Sequence, residues 1–355
     1  MNSPLTPRNV SKRFNRSENT PPHKHARLTA ASARRKVRHG MRSAQYDAEK
    51  AKIRSRQKPI RFIVQTVAPV SEGRPTVSTH PLDLPRALGR PTPREASAEA
   101  IKAATGSHYE GQTAEWIRDC LRTDNRGFRL LRTNASVTAD VDNKLTKETT
   151  ITVSDPHATD LPTHMLAVYS PPKPKQKAQL RLFPVHAMVV AAHCSRMPAF
   201  PPSPNTPNDA NPPQGVSGPR ETTIPVRPVC LPHPASFSPL LQYMYTGRPE
   251  VLLRAVLPTM PAEQFLDNPL DSTNIMAFAT ELGRTYVVNV LLENATIVHG
   301  LWTNACALGI FDDGLWTVID ACWEVLLQAL AIGTGNPRAV SISDMRPQEP
   351  EASQA

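Results

Sequence analysis

Aromatic side chains make up only 5% of this 355-residue sequence, and hydrophobic residues of all kinds only 39%. A chain so short of large apolar groups cannot pack along its whole length, so one domain with long irregular segments is expected instead of two packed domains. Cysteine is sparse and odd in number. Cys120, Cys194, Cys230, Cys306 and Cys322 are widely scattered, which argues against a disulfide framework. The first residues are polar and basic where a secretory signal carries an apolar run, so a reducing compartment is expected. Uninterrupted apolar runs of membrane length are also lacking. The longest stretch, Leu315–Ile332, contains Asp320 and Glu324 and has helical periodicity, which predicts a core helix and no membrane span. Gly-x-Ser-x-Gly, Walker, His-Glu-x-x-His and kinase signatures are missing. Gly333-Thr-Gly335 runs into Asn336-Pro337, where no helix follows to receive a phosphate. Neither enzymatic activity nor a cofactor is expected.

Proline and positive charge are what the sequence has in quantity. There are 37 prolines, and residues 1–60 hold 16 Lys or Arg against 3 Asp or Glu, whereas the other 295 residues hold 25 against 28. The basicity is confined to the front. Residues 1–92 read as a disordered, basic, proline-rich arm, in which 30–58 is at most a marginal helix and 61–92 is a linker. Within it Arg34, Arg35, Lys36 and Arg38, then Lys50, Lys52 and Arg54, resemble a bipartite nuclear import signal, so the nucleus is the expected location. Direct nucleic-acid contact through these charges would be weak and nonspecific, since only Phe14 and Tyr46 interleave with them.

Residues 93–144 read as short helices and linker, one helix running from Pro93 to Ala104 and one opened by Thr113 and ending at Leu121. Residues 145–260 form the predicted core. Strands are expected at 149–153, 165–169 and 179–183, the last two joined by a polar hairpin tip beginning at Ser170. Val185, Met188, Val189 and Ala192 then mark a helix reaching Met197. An insertion, 198–220, is expected to be loose, because residues 201–219 hold seven prolines. A strand over 223–231 should be short or confined to an edge by Pro225 and Pro228. Phe237, Leu240, Leu241 and Met244 mark an amphipathic helix stopped by Gly247. Residues 261–332 read as a C-terminal helical part, continuously helical from Ser272 to Leu330, with an N-cap at Ser272 or Thr273, breaks at Gly283, Gly300 and Gly314, and Trp302, Trp316 and Trp323 as core anchors. Residues 333–355 should fray. The fold class is α+β: a small sheet flanked by helices, with a C-terminal helical extension.

His193, Cys194, Cys230 and His233, with His186 two helical turns before His193, are the nearest approach to a metal set. The plainer expectation is that no metal is held, that Cys194 is a small core hydrophobe, and that His186 caps or hydrogen-bonds near a helix start.

Two patches carry a family resemblance. Leu182-Phe-Pro-Val-His186-Ala-Met-Val-Val-Ala-Ala-His-Cys194 resembles the strand running into a helix of BTB/POZ domains, and Phe237-Ser-Pro-Leu-Leu241-Gln-Tyr243-Met-Tyr245-Thr-Gly247 resembles their helix ending in Tyr-x-Tyr-Thr-Gly. The proline-rich insertion and the lack of a visible strand in 248–258 depart from that pattern. With the basic front and Trp-containing tail, the chain resembles the clampless-type proteins of basidiomycete fungi. That resemblance implies a non-enzymatic regulator of sexual development, needed for clamp connections and dikaryotic growth. It implies binding to transcription factors such as mating-type homeodomain proteins, and homodimers are known among BTB/POZ domains. The alternatives are a substrate adaptor for a cullin ubiquitin ligase and, from another class, a zinc-dependent or hydrolytic enzyme.

Overall fold

A computed structural model describes residues 59–68, 76–109, 111–139, 146–155, 158–171, 180–206, 219–336 and 340. The import-signal candidates, the 30–58 segment, most of the hairpin tip, insertion residues 207–218 and the tail beyond 340 lie outside the described residues.

Residues 60–84 are not the linker expected of them. Ile60, Phe62 and Val64 are buried while Ile63 is 63% exposed, the period-two pattern of a strand with one face on a core. This strand, β1 (Ile60–Ala68), pairs antiparallel with β2 (Thr76–Leu84). Arg61 and Asp83 form a 2.8 Å ion pair across the ladder. In a two-stranded ribbon each strand is an edge, which is where Pro81 is tolerated. The chain then stays docked. Trp323 donates its indole N–H to the Pro85 carbonyl (3.0 Å), Trp302 donates to that of Gly89 (2.7 Å), and Arg90 meets Asp320 at 2.6 Å. Two tryptophans thus use their polar edges to fasten a proline-containing strap.

Three helices follow: α1 (Ala98–Thr105), α2 (Ala114–Arg122) and α3 (Arg126–Ala135). The first begins at Ser97, later than expected; the second has the predicted cap, the Thr113 hydroxyl accepting from the Trp116 N–H. Five strands form one sheet in the order β3-β4-β7-β5-β6: β3 (Val137–Ala139), β4 (Glu148–Val153), β5 (His164–Tyr169), β6 (Leu180–Val185) and β7 (Arg220–Cys230). β5 and β6 form the predicted hairpin, and β7 returns parallel to β5. Met165 on one face of β5 joins a small cluster with Ile151, Val153 and Ile224, while Leu166 and Val168 on the other join the main core. A strand covered on both faces reads as continuously apolar.

The proline-bearing strand is neither short nor at the edge. β7 spans eleven residues and lies third of five. Its two halves explain this: 220–225 pair with β4 and 226–230 with β5, so each half has one unpaired side. The Val226 N–H goes to Lys147 and the Leu231 N–H to Tyr169, and strand parity then aims the nitrogens of Pro225 and Pro228 at the sides where no ladder runs. The start of the insertion is likewise anchored. Phe200 packs on the His164 ring, whose Nε2 meets the Pro201 carbonyl at 3.0 Å, and Ser203 donates to Thr163 O at 2.6 Å.

Between β6 and β7 lies α4 (Ala187–His193), ending four residues before Met197 because Cys194 turns away to bridge Ile310. α5 (Phe237–Thr246) ends at Gly247 in the left-handed conformation (φ 61°), as predicted. Where no strand was visible the chain forms α6 (Pro249–Val256), with Pro249 in the first turn. Then come α7 (Glu263–Asp267), α8 (Ser272–Thr285), α9 (Val288–Leu308) and α10 (Asp313–Gly333). The caps are Asp271 and Asp312, not Ser272 or Thr273. Gly283 and Gly300 do not break helices but lie inside them. A Cβ on Gly283 would sit 2.7 Å from the Ala329 carbonyl, and one on Gly300 would enter the His233 ring. The breaks fall at Tyr286–Val287 and at Gly309 (φ 68°), and Gly314 lies in the first turn of α10. α10 is long and apolar enough to cross a bilayer, but 78% of that stretch is buried inside the protein; it is the core helix, with Trp316 and Trp323 buried and Trp302 partly so.

If 60–84 belongs to the folded unit, Phe62→Ala should lower stability by about 3 kcal/mol or more, while Ile63→Ser should change it little. Urea denaturation of both variants distinguishes this from a linker, in which neither substitution matters.

Candidate functional site

The two motif patches meet at one junction. In a helix, residues two apart point about 200° apart, so Tyr243 and Tyr245 reach to opposite sides of buried α5. The Tyr245 hydroxyl accepts from the His186 backbone N–H (2.8 Å) and the Asn134 side-chain amide (2.9 Å). Its own proton therefore goes to His186 Nδ1 at 3.0 Å, which leaves Nε2–H facing the Asp160 carbonyl at 3.3 Å. His186 occupies the N-cap position of α4, but its ring serves this junction and not the cap. Gly127 lets α3 lie against this end of α5, since a side chain there would run into the Tyr245 carbonyl.

On the other side, Tyr243 donates to Asp312 Oδ1 at 2.7 Å. The same carboxylate caps α10 through the Leu315 N–H (3.0 Å) and takes Arg122 Nη2 at 2.8 Å. Burial pushes the Asp312 carboxyl up, but the Leu315 amide, the Tyr243 hydroxyl and Arg122 outweigh it and hold its pKa below the ordinary range. Burial pushes His186 and His193 down to about 4, against carbonyl bonds from Asp160 and Val189 that favour the proton.

The metal candidates are not assembled. His193 donates Nδ1–H to its own helix at Val189 O, and Cys194 lies against Met244 sulfur at 3.8 Å with its thiol pushed up to about 12 by burial. Cys230 is exposed at the end of β7, and His233 is held by Ser236 Oγ at 2.7 Å and clamped through its backbone by both ends of the Asn304 amide. Among the described residues no three His, Cys, Asp or Glu are grouped to hold a metal.

Two surface features accompany the junction. An open cleft of about 900 Å³ lies between α1 and α2, with Ala192, His193 and Phe311 among its lining; its charges balance, Arg94, Lys102 and Arg118 against Glu95, Glu99 and Glu115. Beside it, α2 and α3 expose Trp116 (41%) and Phe128 (36%). Arg126 lies 5.8 Å over the Tyr109 ring, which meets Trp116, and Arg248 lies 4.6 Å over Phe128. The sequence reading missed this surface because α3 was not expected. A signal was present in Arg126-Gly-Phe-Arg-Leu-Leu-Arg132, where Leu130, Thr133 and Asn134 turn inward and the arginines and Phe128 outward.

Residues 91–232 match the family model of the Clampless protein 1 N-terminal domain, and residues 250–355 that of the Clampless protein 1 C-terminal domain. This is a clampless-type protein. The match supports a developmental regulator of clamp formation. No curated protein and no solved structure matches the chain. In this clampless-type chain the two matched parts are not separate bodies, since one hydrophobic core takes residues from both. α5 lies in the unmatched segment between them, and its two phenols bond one part each.

Tyr245→Phe removes the hydroxyl from three partners and should cost about 1–3 kcal/mol. The pH response has a definite sign. His186 and His193 are depressed from 6.5 to about 4 on folding, so their contribution is complete above pH 6.5 and is lost as pH falls toward 4, by up to about 1.4 kcal/mol per pH unit for each. Denaturation between pH 7 and pH 4.5 should show this slope, and a stability that is flat or rises on acidification would contradict the burial of both rings.

Proposed function

We propose that this clampless-type protein is a non-enzymatic interaction protein with a BTB/POZ-like body, acting in the nucleus in sexual development by binding transcription factors such as mating-type homeodomain proteins. The observation that carries the reading is the junction at Tyr245. The His186 patch and the Tyr243–Gly247 patch, far apart in sequence, share one hydrogen-bond network. Around them the chain runs hairpin, helix, parallel strand and helix, which supports the BTB/POZ-like reading. The chemistry of the interior supports a binding role, because the rings of His186, His193 and His233 are engaged by structural bonds. On the outside, aromatic and arginine side chains stand exposed together, the composition enriched where proteins grip partners.

Crosslinked pull-down of the full chain from mating or dikaryotic cells tests the partner class. Transcription factors are expected in the captured set; a cullin in their place would make the protein a ubiquitin-ligase adaptor, and one equivalent of zinc in the purified chain would favour a metal enzyme. Location is tested separately with fluorescent fusions carrying or lacking residues 1–58. Nuclear accumulation should fall without the arm, and equal distribution would remove the role of Arg34–Arg38 and Lys50–Arg54 in import.

A further inference from the structure

Four arginines meet a carboxylate, Arg61 that of Asp83, Arg90 that of Asp320, Arg122 that of Asp312 and Arg132 that of Asp155, while Arg118, Arg196, Arg220 and Arg227 donate to the backbone carbonyls of Ala192, Cys306, Ala158 and Ala199. Arg126, Arg129 and Arg248 also meet no carboxylate, and these three gather around one turn. Arg129 donates to the Asp124 carbonyl (2.5 Å) and Arg248 to the Asn125 amide oxygen (2.8 Å), while Arg126 and Arg248 lie over the Tyr109 and Phe128 rings. No carboxylate pairs with any of the three among the described residues. They flank the turn from α2 to α3, where Asp124 (φ 51°) and Asn125 (φ 54°) are both left-handed without being glycine. A guanidinium held over a ring is positioned at small entropic cost, and the N–H groups it has not already committed remain available to a carboxylate.

Resting on the interaction reading above, we propose that this α2–α3 face docks an acidic segment of a protein partner. The carboxylates of that segment pair with Arg129 and Arg248, and an apolar side chain lies against Phe128. An acidic peptide fits better than a nucleic acid for a local reason. Glu115, Asp119 and Asp124 are exposed on the same two helices and turn. A phosphate backbone carries charge at every step and meets them, whereas a peptide places negative charge only opposite the guanidinia.

The test uses the full chain and a short labelled peptide alternating Glu with Leu and Phe, its Gln counterpart, and a single-stranded oligonucleotide, followed by fluorescence anisotropy at physiological salt. The Glu peptide should bind, the Gln peptide should bind roughly tenfold weaker or less, and Arg129→Glu with Arg248→Glu should weaken the Glu peptide by a similar factor. Arg34→Glu with Arg35→Glu should leave that peptide's binding in place. The proposal falls if the arm substitutions abolish binding and the face substitutions do not, if the Gln peptide binds equally well, or if only oligonucleotide binding depends on Arg129 and Arg248. Because a double charge reversal can perturb folding, a photo-crosslinking phenylalanine analogue at position 128 supplies a second measurement. Capture of the Glu peptide there supports the site, and capture elsewhere on the chain overturns it. Should the pull-down partners bind the charge-reversed chain unchanged, the interaction reading stands and this face is not where it operates.

Discussion

Two phenol hydroxyls on one buried helix hold the arrangement of everything else. α5 places Tyr243 against Asp312 and Tyr245 against His186 and Asn134, so a single rigid element is bonded to the start of the last helix on one side and to the strand-to-helix turn on the other. Neither hydroxyl is replaceable by burial alone. Each satisfies donors or acceptors that would otherwise be desolvated without a partner, a penalty of about 1–3 kcal/mol apiece. The apolar remainder of α5, with Phe237, Leu240, Leu241 and Met244, supplies the packing around those bonds. Position is therefore set by the polar groups and most of the adhesion by the apolar ones.

Asp312 shows how a buried charge becomes tolerable. The carboxylate has a helix N-terminus in front of it, a phenol on one oxygen and a guanidinium on the other, and each favours the ionised form where burial alone would neutralise it. Histidine is treated in the opposite way: His186 and His193 are kept neutral, with ring protons directed at carbonyls. The interior is thus supplied with fixed donors and acceptors and with little that titrates near neutrality. That suits a scaffold, and it directs attention outward to the side chains left exposed.

Apolar periodicity in the sequence located the elements whose side chains face a single large core. The strands at β4, β5 and β6, the helix α5 with its Gly247 stop, and the C-terminal helices all follow from spacing. What spacing did not disclose depended on partners distant in the chain. β1 and β2 look like linker because only a few residues alternate, and their stability comes from the core and from a strap whose carbonyls receive the Trp323 and Trp302 N–H groups more than two hundred residues away. Pro225 and Pro228 argue for an edge, yet β7 changes partner midway and leaves each proline nitrogen on an unpaired side. Gly283 and Gly300 suggest breaks, yet they mark close crossings between elements. At the junction, His186 and the Tyr-x-Tyr pair were visible as motif residues, while Asn134, Asp160 and Asp312 were not, because nothing local distinguishes them from surface polar groups.

The shared core also bears on how the two matched family domains should be understood. A boundary drawn at residues 232 and 250 cuts through connections on both flanks of α5, including the Asn304 clamp on His233 and the Cys194–Ile310 bridge. Separating the halves would expose the apolar faces of α4, α5 and α10 together, and each half would keep polar groups whose partners lie in the other. Neither half would keep the main core intact, since that core takes residues from both. The two matched segments are therefore better regarded as sequence neighbourhoods within one folding unit, and the α2–α3 face takes its Arg248 from the unmatched stretch between them. That surface exists only when the first segment and the stretch beside it are folded together.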